Sequence, residues 1–393
     1  DSGAFGGTCL NVGCIPTKMF VLPADFASSP SEAARVGVDL QFRGASFASI
    51  RDRIFGRIDS ISKAGLSYRQ GLDNIDVYTG EAAFIDAHTL EVGGRCITAD
   101  QIVLAAGSRP RVPDLDDSSM AGLIHTSDTI MRLAELPQRL VILGGGLIAA
   151  EFAHIFSGLG SQVTVINRSG RMLRHEDREI SQRFTEQMGR RVRLRMAEGL
   201  VGVDRDPGGH LVVLTVDSDG VDYDYPADVV LNATGRVSNG DRLNLPAAGV
   251  DVDDDGFVVV DKHQRTNVEH IWALGDVCSP WELKHVANHE ARVVRHNLLH
   301  PDDLAVLIIA SCRTRCFRIR RWRRLVPRSR DCCNPTLLTR RTFRSTRTSP
   351  MGGPWRTRGT ASSCWEIRRR GLCWGRTSLG AKRPPSFRPV FRG

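Results

Sequence analysis

Two cysteines with four residues between them, Cys9 and Cys14, sit in the stretch GGTCLNVGCIPTK from Gly6 to Lys18. A disulfide needs its Cα atoms roughly 4.4–6.8 Å apart and a restricted S–S dihedral. On an ideal helix an i,i+5 pair has already separated by ~7.5 Å along the axis and turned off a shared face. An oxidised pair therefore requires a distorted turn, and Gly13 beside Cys14 gives the backbone that freedom. Pro16 has a fixed φ and no donor, which suits the first turn of a following helix. A strained, partly accessible disulfide is easier to reduce than a structural one. The chemistry this predicts is a cycling dithiol. The plainer alternative is two unpaired cysteines near the start of the chain.

A nucleotide-binding element is predicted in RLVILGGGLIAAEFAHIFSGLGSQVTVIN, which holds Gly144-x-Gly146-x-x-Ala149. The apolar strand Leu140–Leu143 precedes the glycines, a helical run from Leu147 to Leu159 follows, and a second strand, Val163–Ile166, comes next. This strand–glycine turn–helix–strand order is the context a dinucleotide fingerprint needs. Its glycines let the backbone reach a pyrophosphate, which the free N–H groups of the helix start stabilise. The second strand runs into Asn167, Arg168, Ser169, Gly170, Arg171, Met172, Leu173 and Arg174. No acid stands where an NAD site has one for the ribose. Arginine suits a 2′-phosphate, so the expected cofactor is NADPH, with a solvated charged loop as the plainer reading.

Other strand ends repeat one pattern. QIVLAAGSRPRVP ends a strand in Ala105-Ala106-Gly107, and ADVVLNATGR ends another in Ala233-Thr234-Gly235. Small residues there admit a ligand or a second backbone. The two copies flank the glycine-rich unit, which suggests one domain inserted into another. A third strand, in QRTNVEHIWALGDV, ends in Gly275-Asp276, and KHVANHEARVVRHNLL (Lys284 to Leu299) reads as an amphipathic helix. Residues 19–70 read as helix-rich, with Phe47, Ile50, Ile54, Ile58 and Ile61 forming one apolar stripe. Residues 75–105 read as short strands, with Cys96 as a small buried hydrophobe. Pro110, Pro113 and the run DLDDSS mark a surface crossing.

The 393 residues suffice for two or three domains. No run of ~18 apolar residues appears, and DSGAFGG lacks the layout of a signal peptide. The cytoplasm is the expected location, where paired cysteines are more often catalytic or metal-binding than structural. The net charge of +9 is unevenly placed: residues 1–300 carry 30 Lys+Arg against 40 Asp+Glu, and residues 301–393 carry 23 against 4. From about Ala305 the chain is rich in Arg, Cys, Trp, Ser and Pro without apolar periodicity. A nucleic-acid arm or a membrane-surface patch would explain the charge. The composition fits an out-of-frame reading of a GC-rich gene better. TSPMGGPWRT (Thr348 to Thr357), reverse-translated and shifted by one base, can encode DVAHGWAMED. A tail of scattered charge is expected to be disordered. Cys312, Cys316, Cys332 and Cys333 match no recognised metal-ligand spacing, so neither a metal nor a nucleic-acid or membrane partner is expected.

GGTCLNVGCIPTK, AAGSRP, GGGLIAAEFA, ATGR and ALGD, in this order across residues 1–300, resemble the flavin-dependent pyridine nucleotide-disulfide oxidoreductases. Within that family GGTCLNVGCIPTKMF, HTSDTIMRLAELP, EFAHIF, ATGRVSN and LKHVANHEARVV look most like the mycothione reductases. The resemblance implies an α/β fold with two Rossmann-like domains, one for FAD and one for NAD(P). Residues 1–135 would belong to the FAD domain, 136–236 to the NADPH domain, 237–305 to a return to the FAD domain and central segment, and 306–393 to the basic tail.

It also implies roles. Cys14 would be the flavin-proximal thiolate and Cys9 the thiol that attacks a small-molecule disulfide. Lys18 and Glu151 would pair beside the flavin. Gly144, Gly146 and Ala149 would cradle the NADPH pyrophosphate, with Arg168 and Arg174 on its 2′-phosphate. Gly6, Gly7, Thr8, Ala106, Gly107, Gly235 and Gly275 would line the cofactor sites, and Asp276 would hold a ribityl hydroxyl of FAD. Members of the family are homodimers. The chain begins after the family's first glycine-rich unit and lacks a matching interface domain; His300-Pro301 falls outside the family's catalytic His-Pro context. The chain as given is therefore expected to be inactive and its dimer doubtful. A lipoamide dehydrogenase-like or glutathione reductase-like enzyme, or a non-catalytic nucleotide-binding fragment, are the alternatives.

Overall fold

The computed structural model describes residues 1–112 and 124–309, with two short strands at 315–316 and 322–323. The surface crossing beyond Pro113 and nearly all of the basic tail lie outside the described residues.

Three helices open the chain: α1 (Gly7–Asn11), α2 (Cys14–Ala34) and α3 (Phe47–Gln70). A three-stranded antiparallel sheet follows, from β1 (Ala82–Phe84), β2 (Thr89–Val92) and β3 (Arg95–Thr98). Next come β4 (Ile102–Leu104), β5 (Ser108–Pro110) and β6 (Ile124–His125). The glycine-rich unit is β7 (Arg139–Leu143), α4 (Leu147–Leu159) and β8 (Gln162–Asn167), followed by α5 (Arg178–Gly189) and β9 (Arg193–Met196). An antiparallel sheet of β10 (Glu198–Arg205), β11 (Leu211–Asp217) and β12 (Asp222–Ala227) precedes β13 (Val229–Asn232). The described chain continues through β14 (Arg236–Ser238), α6 (Leu245–Ala248), β15 (Ile271–Ala273) and α7 (Lys284–Leu299).

The main sheet has five parallel strands in the order β6-β13-β7-β8-β9. Its central strands β7, β8 and β13 are largely apolar because both of their faces are covered. Leu140, Ile142, Val163 and Val165 face the helices, while Val141, Leu143 and Ile166 face the β10–β12 sheet. Register aligns the strand ends: Leu143 pairs with Ile166 and with Asn232. The glycine turn, Asn167 and Ala233 thus emerge together at the carboxyl edge, where open α/β sheets bind ligands. Similarly, β4 and β15 pair in parallel with Leu104 opposite Ala273. This brings Ala106-Gly107 and Gly275-Asp276 to one edge.

Helix α2 lies tightly on α4. A Cβ added at Gly158 would be 3.0 Å from the Ala24 carbonyl oxygen, so any larger residue would push the two helices slightly apart. The fully buried His154 of α4 fastens the same crossing: its Nε2 lies 2.8 Å from Asp25 Oδ1, and Arg191 donates to its Nδ1 at 2.8 Å. Because Arg191 occupies Nδ1, the ring proton sits on Nε2 and points at Asp25.

Two packing expectations need correction. Ile61 is 48% exposed, and the buried face of α3 runs through Phe47, Ile54, Phe55, Ile58 and Ser62. After Ile58 the face steps by four residues rather than three, and the Ser62 hydroxyl donates to the Phe5 carbonyl at 2.6 Å. Cys96 is exposed, not buried, because it lies on β3, whose pattern leaves only Ile97 partly covered.

Candidate functional site

The cysteines straddle a helix break. Cys9 lies in α1, Cys14 begins α2, and Val12-Gly13 joins them. The break is held from within by Asn11, whose buried Nδ2 donates to the carbonyls of Ala4, Phe5 and Gly7 at 3.0, 3.2 and 3.1 Å. Gly6 and Gly7 turn into α1 with φ of 106° and 69°, conformations glycine adopts freely. Gly13 acts by closeness instead of by a left-handed φ. A Cβ there would lie 2.9 Å from the Thr8 carbonyl oxygen and 3.3 Å from the Cys9 Cα. The missing side chain lets the two cysteine-bearing backbones meet.

Both sulfurs are free thiols. The hydrogen bond from Cys9, followed by the charge of Lys18, lowers the Cys14 thiol to about 6. The same hydrogen bond to Cys14, together with burial, pushes Cys9 well above the usual thiol range. The pair therefore holds its shared proton on Cys9 and its negative charge on Cys14.

One turn along α2, Lys18 donates from Nζ to both carboxylate oxygens of Glu151 at 2.6 and 2.7 Å. Glu151 is buried on the first turns of α4. The ion pair thus joins the helix carrying Cys14 to the helix beginning at the glycine turn.

At that turn Gly144 has φ 109°, and a Cβ would sit 2.4 Å from the Ala233 carbonyl oxygen. Gly146 caps α4 without a side-chain hydrogen bond, and a Cβ on it would meet nothing within 4 Å. Free first-turn N–H groups facing open space are what a pyrophosphate requires. Ala149 is fully buried beneath the turn, at the helix–strand contact. Gly145, outside the fingerprint, is also constrained: a Cβ there would lie 2.7 Å from Asn167 Nδ2. Asn167 in turn donates to the carbonyls of Ser169 and Arg171 at 2.9 and 3.2 Å, bracing the arginine loop. Arg168 and Arg174 are exposed, and Arg174 Nε donates to His175 at 3.0 Å. Arg171, not singled out from sequence, lines the same cleft with a buried Nε that has no hydrogen-bond partner. The site suits a phosphorylated nucleotide.

The other strand edge supplies backbone turns and one acid. Gly107, Gly235 and Gly275 have φ of 71°, 141° and 76°. The Ala106 carbonyl accepts from Asn239 at 2.9 Å. Asp276 accepts from the Ser108 hydroxyl at 2.7 Å, and Arg236 donates to that hydroxyl at 2.8 Å. The Gly275 N–H donates to buried Glu290 at 2.7 Å; burial raises that carboxyl. Burial, then the charge of Asp276, also raises Glu282. Ser108, Arg236 and Glu290 carry no sequence signal of their own, since each acts through a partner distant in the chain. Open turns beside an acid whose second oxygen is unengaged in these bonds suit the hydroxyl-rich chain of a flavin cofactor.

All the expected site residues except Ala149 line one cleft of about 2160 Å³: Gly6, Gly7, Thr8, Cys9, Cys14, Lys18, Ala106, Gly107, Gly144, Gly146, Glu151, Arg168, Arg174, Gly235, Gly275 and Asp276. A smaller pocket of about 560 Å³ opens at the sulfurs, lined by Cys9, Cys14, Ile15, Lys18, Met19, Leu22, Arg53 and Lys284. Thiols, an ion pair and a nucleotide turn therefore share one cavity. Among the described residues no group of His, Cys, Asp and Glu is arranged to hold a metal.

Comparison with known proteins places residues 3–291 in agreement with the family model described as pyridine nucleotide-disulphide oxidoreductase. The chain is 49% identical over 305 residues to a mycothione reductase of Mycobacterium tuberculosis (strain H37Rv), covering 76% of this chain and 65% of that protein. It is 33% identical over 304 residues to a dihydrolipoyl dehydrogenase of Chlamydia trachomatis, covering 76% and 64%. The chain thus spans just under two thirds of the length of these relatives. Among solved structures, the HOCl-induced flavoprotein disulfide reductase RclA of Escherichia coli superposes with a TM-score of 0.69 at 27% identity, over 80% of this chain and 67% of that one.

Proposed function

The chain belongs to the pyridine nucleotide-disulphide oxidoreductase family, and from that premise we propose that it carries the redox centre of an NADPH-dependent flavoprotein that reduces a low-molecular-weight disulfide, with mycothione as the favoured substrate. The fold is the α/β arrangement of the flavoprotein disulfide reductases. The observation that carries the proposal is the single cleft shared by Cys9, Cys14, the Lys18–Glu151 pair and the Gly144–Gly146 turn. The 49% identity to a mycothione reductase supports the choice of substrate.

Each group then has a task. The free N–H groups at the start of α4, with Gly144 and Gly146, hold the NADPH pyrophosphate, and Arg168 and Arg174 hold its 2′-phosphate. The turns at Ala106-Gly107 and Gly275, with Asp276, hold FAD. When bound, these cofactors supply a hydride and relay two electrons to the sulfurs. Lys18 and Glu151 fix a charge pair at the junction of the two sites, and Lys18 also favours the Cys14 thiolate. Cys9 attacks the substrate disulfide, and Cys14 then closes on Cys9 to form the Cys9–Cys14 disulfide. The proposal assigns residues 1–135 and 237–305 to the flavin domain and 136–236 to the nucleotide domain, and it places the chain in the cytoplasm; the homodimer of the family is not carried over to this chain. Among the described residues no helix is long and apolar enough to cross a membrane.

Asn167 favours NADPH over NAD: as a donor to two loop carbonyls it offers no carboxylate to a ribose. The test is thiol release from mycothione by the chain carrying the reduced Cys9 and Cys14 thiols and freed of reductant, with nucleotide binding measured separately. The expected result is two thiols per chain in a single turnover, none in Cys9→Ser and one in Cys14→Ser, with no continuous NADPH-driven turnover by the chain as given and with Arg168→Ala weakening NADPH binding but not NADH binding. Equal binding of both nucleotides by the unaltered chain would overturn the cofactor assignment, and thiol release that survives Cys9→Ser would overturn the sulfur assignment.

A further inference from the structure

Lys284 is the second lysine at the sulfurs, in a pocket that the exposed Arg53 of α3 also lines. It begins α7, far along the chain from Cys9, yet it lines the small pocket with Cys9, Cys14 and Lys18. Its position is electrostatically unusual. A cation in the first turn of a helix opposes the helix dipole, α7 has no acid in that turn, and its N-cap residue Leu283 makes no side-chain hydrogen bond. Lys284 also lacks a carboxylate partner among the described residues, whereas the Lys18 charge is matched by Glu151. Lys284 shares the lining of the small pocket with Cys9, close enough that its positive charge favours the Cys9 thiolate.

We propose that Lys284 is the charge-stabilising partner of Cys9, and that it makes the attacking thiolate accessible. This deepens, and rests on, the reading of Cys9 as the attacking thiol. The reduced pair holds one proton and one negative charge, with the proton on Cys9. For attack, that proton must cross the hydrogen bond to Cys14, leaving the charge on Cys9. Burial and the neighbouring Cys14 oppose that state, and Lys284 offsets them. The Cys9 thiolate then attacks one substrate sulfur. The Cys9–substrate S–S bond forms, the substrate S–S bond breaks, and the departing thiolate takes the proton from Cys14. Cys14, now a thiolate, attacks the Cys9 sulfur and expels the second thiolate. The dithiol has lost two electrons and the substrate disulfide has gained them. The two lysines thus set where the shared charge resides: Lys18 draws it to Cys14 and Lys284 to Cys9.

Cys14→Ser isolates the effect, because it removes the competing sulfur and leaves Lys284 beside Cys9. Iodoacetamide alkylation of Cys9, followed against pH by peptide mass spectrometry, gives the thiolate midpoint without any cofactor. Adding Lys284→Met should raise that midpoint by about one unit and slow alkylation at neutral pH about tenfold, and Lys284→Arg should restore most of the rate. Salt at ~1 M, with a Debye length of ~3 Å, should shrink the difference. An unchanged midpoint in Lys284→Met, or no rescue by arginine, overturns the inference. Treatment of the Cys14→Ser chain with hydroxyethyl disulfide separates the two levels. No mixed disulfide at Cys9 would overturn the disulfide-reductase reading itself, while one formed equally fast with and without Lys284 would overturn only the role of this lysine.

Discussion

Replacing Cys9 should change Cys14 more than any other single substitution near the sulfurs. The Cys9 hydrogen bond is the largest influence holding Cys14 at about 6, with the Lys18 charge behind it and Glu151 opposing. At pH 7 a group titrating near 6 is ~90% ionised, whereas an ordinary thiol near 8.5 is ~3% thiolate. In the reduced chain Cys14 should therefore alkylate about thirtyfold faster at neutral pH than an unperturbed thiol of equal access and nucleophilicity. Cys9→Ala removes the donor and should raise the Cys14 midpoint most of the way to the ordinary value, while Cys9→Ser keeps a hydroxyl donor and should raise it less. Lys18→Met should raise it by a smaller step, because Glu151, 2.6 Å from the ammonium, already cancels much of that charge. Glu151→Gln should lower it. The assay is iodoacetamide trapping of Cys14 across pH 4–10 with peptide mass spectrometry, and the thiolate absorbance near 240 nm provides an independent readout. The direction of the pH dependence follows from the depressed value: ionisation of Cys14 favours the folded chain above the ordinary thiol range, and that contribution fades as pH falls through about 6. The reasoning is refuted if Cys9→Ala leaves the midpoint near 6, or if Lys18→Met and Glu151→Gln shift it the same way.

Two further perturbations separate folding from ligand binding. Gly144→Ala places a methyl 2.4 Å from the Ala233 carbonyl at a φ of 109°, so it should lower thermal stability by several degrees, whereas Gly146→Ala meets no atom and should preserve the melting temperature while weakening nucleotide binding; the two melts and a nucleotide titration check this. His154→Leu removes the partner of the exposed Asp25 and one of two partners of the half-buried Arg191 guanidinium, which keeps its bond to Ser28, and should destabilise the chain by ~1–2 kcal/mol, measured by urea denaturation; a loss under ~0.5 kcal/mol would remove the network from any account of the α2–α4 crossing.

The strand, glycine turn and helix of the β7–α4–β8 unit were legible because their geometry is local. Gly144, Gly146 and Ala149 serve one turn, and strand, helix and glycines are contiguous in the chain. Gly13 was identified from sequence, but for flexibility. Its work is steric, and only the fold places Thr8 against it. Ile61 misled because a stripe read at steps of three and four is ambiguous at its end; Ser62 won that place through a bond to Phe5, which no periodicity encodes. Cys96 misled because burial of a short meander depends on what covers it. Ser108, Arg236, Glu290 and Lys284 were illegible for one reason: each acts on a residue brought near only by the fold, through the pairing of β4 with β15, the antiparallel pairing of β5 with β14, or the placement of α7.

The crossing of α2 and α4 unites what the sequence presents as separate modules. Lys18 with Glu151, Asp25 with His154, and Ala24 against Gly158 fasten α2, at Lys18 and at Ala24-Asp25, to three successive turns of α4. One of these helices starts at a sulfur and the other at the nucleotide turn. The glycine turn and the sulfur-bearing end therefore ride on a common girder. Grafting the glycine-rich unit from a distant relative, to alter nucleotide preference, would replace half of that girder. Preference is better altered in the loop beyond Asn167, which lies off the beam.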